Sequence, residues 1–214
     1  HNAFLPALAT SHDGNKQRLA YAHEHASAVL FIGAPICFIG IAFAAPIIDI
    51  IFGSAYAGAE NALIILMLTA AAAYLVTAHG TPLFAWKCDK PYAWTLGIGG
   101  AINVVLNFVL IPRYGIEGAA VATFICQTCM WISLATVTHR RFRFNHLKLI
   151  TRVVVTVLVS GIPVSFCVEF ISAGPVPTVF VGSFAFGVLY SVVAQTIGIY
   201  DLRRLPRLLV RPST

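Results

Sequence analysis

Apolar positions along this chain fall in long unbroken runs, where a half-buried sheet would alternate and a soluble helix would show a narrow stripe. The first run covers Ala26 to Ile48 and carries no charge before Asp49; Pro35 is expected to kink it. The second, Asn61 to Ala78, leads through His79, Gly80 and Pro82 to Trp86 and Lys87. The third is Pro91 to Pro112 and the fourth Gly118 to Thr138. The fifth, Val153 to Val168, is the shortest, so Arg152 must snorkel and the span must borrow Phe170 and Ile171. The sixth lies within Val176 to Ile199, after a turn at Pro175 and Pro177. About 20 apolar residues cross a bilayer core of about 30 Å, so the pattern predicts six transmembrane helices. Between the first two, Asp49 to Glu60 reads as a glycine-rich turn with Phe52 and Tyr56 at headgroup level.

Composition narrows the class. The 214 residues are 58% hydrophobic and 10% charged, with a mean hydropathy of +0.84. A soluble domain carries about 25% charged residues, so this balance cannot cover a globular surface in water. The net charge of +6 would raise nucleic acid as a partner of a soluble protein. Here its placement gives another explanation, and no nucleic-acid partner is expected. If the helices alternate, one side of the membrane receives Lys16, Arg18, Lys87, Lys90, Arg140, Arg141, Arg143, Lys148, Arg152, Arg203, Arg204, Arg207 and Arg211, which is 13 of the 14 basic residues. The other side receives Arg113 with Asp49, Glu60, Glu117 and Glu169. The positive-inside rule then makes both ends cytoplasmic and the number of spans even. The chain divides into a polar cytoplasmic linker at 1–25, four helices at 26–138, a basic cytoplasmic loop at 139–152, two further helices at 153–199 and a basic tail at 200–214. The chain has no initiating Met and is expected to be a piece of a longer protein, its first residues following a missing helix.

The most specific stretch joins the third and fourth runs, Asn103 to Thr123. Pro112 lacks a helical N–H and Gly115 permits easy backbone reversal, so a turn of Pro112, Arg113, Tyr114 and Gly115 predicts an antiparallel helical hairpin. Its wording, N-x-x-x-N-x-x-L-I-P-x-Y-G-x-x-G-A-A-x-A-T, resembles the multidrug/oligosaccharidyl-lipid/polysaccharide flippase superfamily. The pattern falls on Asn103, Asn107, Leu110, Ile111, Pro112, Tyr114, Gly115, Gly118, Ala119, Ala120, Ala122 and Thr123. Two looser elements resemble the same superfamily, F-L-P-A-L-A-T-S at the start and I-I-F-G-S-A-Y-A-G-A around Gly53. The resemblance implies an all-α polytopic membrane protein, the C-terminal bundle of a MATE-like flippase fold of twelve to fourteen helices. It implies transport of undecaprenyl-diphosphate-linked oligosaccharide across a bacterial inner membrane for O-antigen, exopolysaccharide or capsule. Partners would be membrane lipid, the polyprenyl-diphosphate-linked glycan, the missing N-terminal half, and a polysaccharide polymerase and chain-length regulator. A multidrug or cation antiporter and a lipid II flippase are alternatives within the superfamily; a membrane-embedded enzyme of glycan assembly is one outside it.

Candidate residues carry two readings each. Asn103 and Asn107, four apart, share one helix face. With Thr123 and Gln127 they either line a sugar or water cavity or tie the two helices by hydrogen bonds. Gln127 is the better cavity candidate. Gly118 with Ala122, Gly97 with Ala101, and Ser183 with Gly187 read as small-residue packing faces. His79 reads as a lone interfacial histidine or a titrating group. His12, His23 and His25 read as solvated side chains of a polar segment, or as metal ligands. The basic stretch 140–152 suits an in-plane segment on anionic lipid, and Arg140, Arg141, Arg143 and Lys148 could gather a diphosphate headgroup. The five cysteines are irregularly spaced, and Cys126 and Cys129 read as small packing residues. No catalytic acid pair, nucleophile set, phosphate-binding glycine loop or zinc spacing is present. No enzyme activity, cofactor or metal is expected.

Overall fold

A computed structural model of the chain describes residues 15–144, 146–169 and 174–199. In chain order its helices are α1 (Asn15–Ala42), α2 (Ala44–Phe52), a 3₁₀ turn (Ser54–Ala59), α3 (Glu60–Ala85), α4 (Asp89–Phe142), α5 (Leu147–Glu169) and α6 (Pro175–Ile197). No strand occurs among the described residues. Five of these stretches, in α1, α3, α4, α5 and α6, are long and apolar enough to cross a membrane. The opening F-L-P-A-L-A-T-S element, His12 and the tail at 200–214 lie outside the described residues.

α4 has 54 residues and would measure about 81 Å if straight, far beyond a bilayer core. It does not run straight. Gly115, at φ 55 and ψ −131, breaks it into two arms. Thr95 Oγ1 lies 3.0 Å from Ser133 Oγ, Asn103 Nδ2 donates to Thr123 Oγ1 at 3.5 Å, and Gly118 sits against the carbonyl of Leu110. The partners advance in opposite directions, so the arms are antiparallel. The expected hairpin is present, with its reversal at Gly115; Pro112 lies inside the helical arm, not in a four-residue turn. Gly97, in contrast, faces open space and Ala101 is exposed, so this pair packs on nothing in the chain. Gly99, two residues on, meets Met130 instead.

The other helices build the packed part. α1 runs antiparallel to α3, with Gly33 against Tyr74 and Gly40 against Met67. It is also antiparallel to α6, where Phe38 stacks on Phe186 at 4.3 Å and Tyr190 Oη donates to the Phe31 carbonyl at 3.1 Å. Gly161 brings α5 against the ring of Phe38. Leu30, Phe43, Val153, Phe186 and Tyr190 are buried in this core. Gly187 faces open space, so Ser183 and Gly187 do not form the expected packing face.

Several boundaries differ from the sequence reading. α1 already begins at Asn15, so residues 15–25, expected as linker, continue its helix. The helix passes through Pro35 and ends at Ala42; the break falls at Phe43, whose φ of −114 and ψ of 27 leave the helical region before α2. The turn expected from Asp49 onward is helical through Phe52 and then 3₁₀, and Phe52 and Tyr56 are exposed. Pro175 opens α6 as its first residue, where the missing N–H costs no helical bond.

Candidate functional site

Two places in the fold gather polar side chains. The first is the α4 hairpin. Asn107 Nδ2 donates to Asn103 Oδ1 at 2.9 Å, and Asn103 passes the chain of bonds across the arms to Thr123, whose hydroxyl donates to the Ala119 carbonyl at 2.9 Å. The i,i+4 spacing puts both amides on the inner face, and the small residues Gly118 and Ala122, both buried, let the arms approach closely enough for the bond. The interhelical reading of the asparagines therefore has its geometry here. Asn107 also lines a cavity of about 410 Å³ with Val104, Phe108, Ile111 and Pro112. Gln127 lies one turn beyond Thr123, and its Oε1 is buried without a hydrogen-bond partner, as is Asn107 Oδ1. Tyr114, at the hairpin tip, is exposed. Asn61 Nδ2 donates to Glu117 Oε1 at 3.2 Å, placing the start of α3 at the same end as that tip.

The second place is the opposite, basic end. α4 closes with Arg143 in the left-handed region at φ 54, its N–H bonded to the His139 carbonyl at 2.9 Å and the Phe144 N–H reaching the Thr138 carbonyl at 3.5 Å. The left-handed Arg143 with its N–H on the carbonyl four residues back is an αL-type ending, which turns the following residue back onto the helix. Phe144 is thereby carried inward and is 3% exposed. His146 follows it into the same space, edge-on to Phe144 at 3.8 Å between ring centres. Its ring lies 4.9 Å from His23 of α1 and 5.0 Å from His79 of α3. Trp86 packs on Phe142 at 4.5 Å, and Arg141 Nη1 donates to Cys88 Sγ at 3.7 Å, so the ends of α3 and α4 are held together.

These contacts correct three expectations. His79 is not a lone, snorkelling side chain: it is buried beside His146, and its Nδ1 lies 3.0 Å from the Leu75 carbonyl. A carbonyl only accepts, so that bond puts the proton on Nδ1 and leaves Nε2 the lone pair. His25 is buried rather than solvated. The basic stretch is not a flat in-plane segment, since Phe144 and Leu149 are buried among the helices. Its cations divide accordingly. Arg140, Arg141, Arg143 and Lys148 are all exposed, and of the four Arg140 borders a cavity of about 380 Å³ with Trp131, Thr136, His139, His79 and His146. Among the described residues no group of three or more His, Cys, Asp or Glu is arranged to hold a metal ion.

Burial pushes the His146 imidazole down to about 3, helped by the neighbouring rings of His79, His23 and His25. It is neutral at pH 7, with one N–H and one lone pair, and neither ring nitrogen has a hydrogen-bond partner. Sequence reasoning passed over His146, Trp131 and Phe144 as site residues. One signal was available: His23, His25, His79, His139 and His146 all lie on the basic side of the charge map.

No protein-family model matches the chain, and no solved structure matches it. It is 28% identical over 199 residues to an uncharacterized membrane protein of Methanocaldococcus jannaschii, an alignment covering 89% of this chain and 37% of that relative. The chain thus spans little more than a third of the relative's length. Five apolar helices of crossing length and this likeness agree. The chain is a membrane protein.

Proposed function

We propose that the chain forms part of a membrane transporter of the multidrug/oligosaccharidyl-lipid/polysaccharide flippase type, moving a polyprenyl-diphosphate-linked oligosaccharide between leaflets. The observation that supports this most is the α4 hairpin: the residues that carry the resemblance are those that make the reversal at Gly115, the close approach at Gly118 and the Asn107–Asn103–Thr123 chain of bonds. Counting the two arms of α4 separately, the chain crosses six times and its two ends share the cytoplasmic side of the inner membrane, where the lysines and arginines lie. The partially satisfied amides of Asn107 and Gln127 would face the transport pathway, and the cations at 140–148 would attract the diphosphate. Such a transporter needs two opposed states and a second bundle to close against; this chain supplies one wall. Enzymatic chemistry has no part in this reading, and the glycan polymerase remains a separate partner.

Two experiments bear on it. In a cysteine-free background, Ser54→Cys and Tyr114→Cys are expected to react with an impermeant thiol reagent from outside the cell, and Lys148→Cys is not; outside labelling of Lys148→Cys removes the six-crossing scheme. Deletion of the parent gene is expected to leave lipid-linked oligosaccharide accumulating on the cytoplasmic leaflet with its synthesis intact. Loss of synthesis would point to a glycan-assembly enzyme, and altered drug resistance alone to an antiporter.

A further inference from the structure

The cavity at the basic end is built for a ligand that both accepts and donates hydrogen bonds. Trp131 Nε1 is buried without a partner and can only donate. Arg140, on the same wall, only donates and is always charged. His146, 2% exposed, offers one donor and one acceptor, neither of them used among the described residues. His79 spends its Nδ1 proton on the Leu75 carbonyl and presents a lone pair at Nε2. No Asp or Glu is among the described residues lining the space. A buried imidazole with both nitrogens idle is costly, about 1–3 kcal/mol per unsatisfied group, so something of matching chemistry is required to fill the space.

The cavity shares one lining residue with an apolar groove. Ile150 lines it and also lines a second, almost wholly apolar groove of about 280 Å³ between α1, α3 and α5, walled by Leu30, Phe38, Tyr74 and Val157. Ile150 is thus a wall common to the cavity that holds Arg140 and His146 and to the apolar groove. That pairing of environments fits an amphiphile with its head at Arg140 and His146 and a hydrocarbon chain past Ile150.

The geometry points to a binding site for a lipid phosphate monoester, held by Arg140, Trp131, His146 and His79 with its chain in the Ile150 groove. The reasoning for a monoester is the mixed hydrogen-bonding set. A singly protonated monoester has anionic oxygens for Arg140, the Trp131 indole and the His146 N–H, and a P–OH to donate to an imidazole lone pair. A phosphodiester has no P–OH, and a neutral lipid has no charge for Arg140. The neutral state of His146 at pH 7 suits this pattern, since an imidazolium would have no lone pair to receive the P–OH. The site lies outside the hairpin and shares only Arg140 with the transport reading, and the lipid-binding test below does not depend on transport.

The test uses the whole chain in phosphatidylcholine nanodiscs with Trp86→Phe and Trp94→Phe, so that Trp131 is the remaining fluorophore. Phosphatidic acid with bromines near the head of its acyl chain is expected to quench Trp131 at about tenfold lower mole fraction than brominated phosphatidylglycerol, a diester, or brominated diacylglycerol. Arg140→Gln, on an exposed position, and His146→Phe are each expected to weaken that quenching about tenfold. Lys90→Gln, an exposed cation that does not line the cavity, is expected to leave it unchanged. Equal quenching by the diester or by diacylglycerol overturns the monoester assignment. Displacement of the brominated lipid by millimolar inorganic phosphate makes a free anion the ligand and overturns the lipid assignment. An equal loss in Arg140→Gln and Lys90→Gln reduces the effect to general surface charge and removes the site.

Discussion

The α1, α3, α5 and α6 bundle and the α4 hairpin solve the same problem with different means. In α1, 39% of the most apolar stretch is buried within the chain; in α4, 11% is. Large side chains close the bundle: Phe186 and Tyr190 are buried against Phe31 and Phe38, and Gly161 gives the Phe38 ring its place. The hairpin has no such core. Trp94, Val105 and Phe108 point outward, and its arms are held by close backbone approach at Gly118 and a short line of polar bonds. In lipid, apolar contact between helices is not driven by water, because hydrocarbon solvates leucine as well as a neighbouring helix does. Packing and polar bonds must then do the holding, and each region leans on one of them. The hairpin's outward apolar face is free for lipid or for another part of a longer protein.

That contrast can be broken from either side. Phe186→Ala is expected to be the most damaging single change, about 3 kcal/mol or more, because it empties a site that is 0% exposed and stacked on Phe38. Reversible unfolding in mixed micelles measures it, and a cost near zero would mean that the bundle is not held by its aromatic core. Gly118→Leu is expected to cost about 2–3 kcal/mol, since any side chain there meets the Leu110 carbonyl. Gly97→Leu, which meets nothing, is expected to stay within about 0.5 kcal/mol. Equal effects of the two would show that the hairpin arms do not pack as described.

Acid acts at the joint between the regions. His146 has its value lowered from 6.5 to about 3, so its neutral form favours the fold. The unfolded chain binds the extra proton first: the contribution is complete above about pH 6.5 and is lost progressively as pH falls toward 3. The groups facing it are His23 and His25 of α1, His79 of α3, and His139 and Arg140 of α4, none of which brings a negative charge to hold an imidazolium. Stability measured between pH 7 and pH 4 is expected to fall, and His146→Phe is expected to flatten that slope; an unchanged slope would place the acid sensitivity elsewhere. A small effect is expected from Asn107→Ala, about 0.6–1 kcal/mol for the bond to Asn103. A normal fold with reduced transport would assign Asn107 to the pathway, and normal transport would leave it as helix glue.

The pattern of apolar runs was enough to determine that this is an all-helical membrane protein, and the asymmetry of Lys and Arg was enough to group its loops into two sides. Both follow from solvation, which acts on each segment by itself: a run of apolar residues cannot be satisfied in water, nor a basic loop in hydrocarbon. The hairpin was legible for the same local reason at Gly115, which frees the backbone wherever it stands, whereas Pro112, read as part of the turn, lies inside the helical arm. What only the tertiary structure decided is which residues meet. Gly97 and Gly118 look alike as small residues in a run, yet one faces open space and the other a carbonyl, because a helix shows each face to a different neighbour. His23, His79 and His146 are separated by up to 123 positions in the chain. They come together because α1, α3 and the α4–α5 turn end at one level, and because the left-handed Arg143 turns Phe144 and His146 inward. No local property of a histidine announces that, for burial and company are properties of the assembled helices.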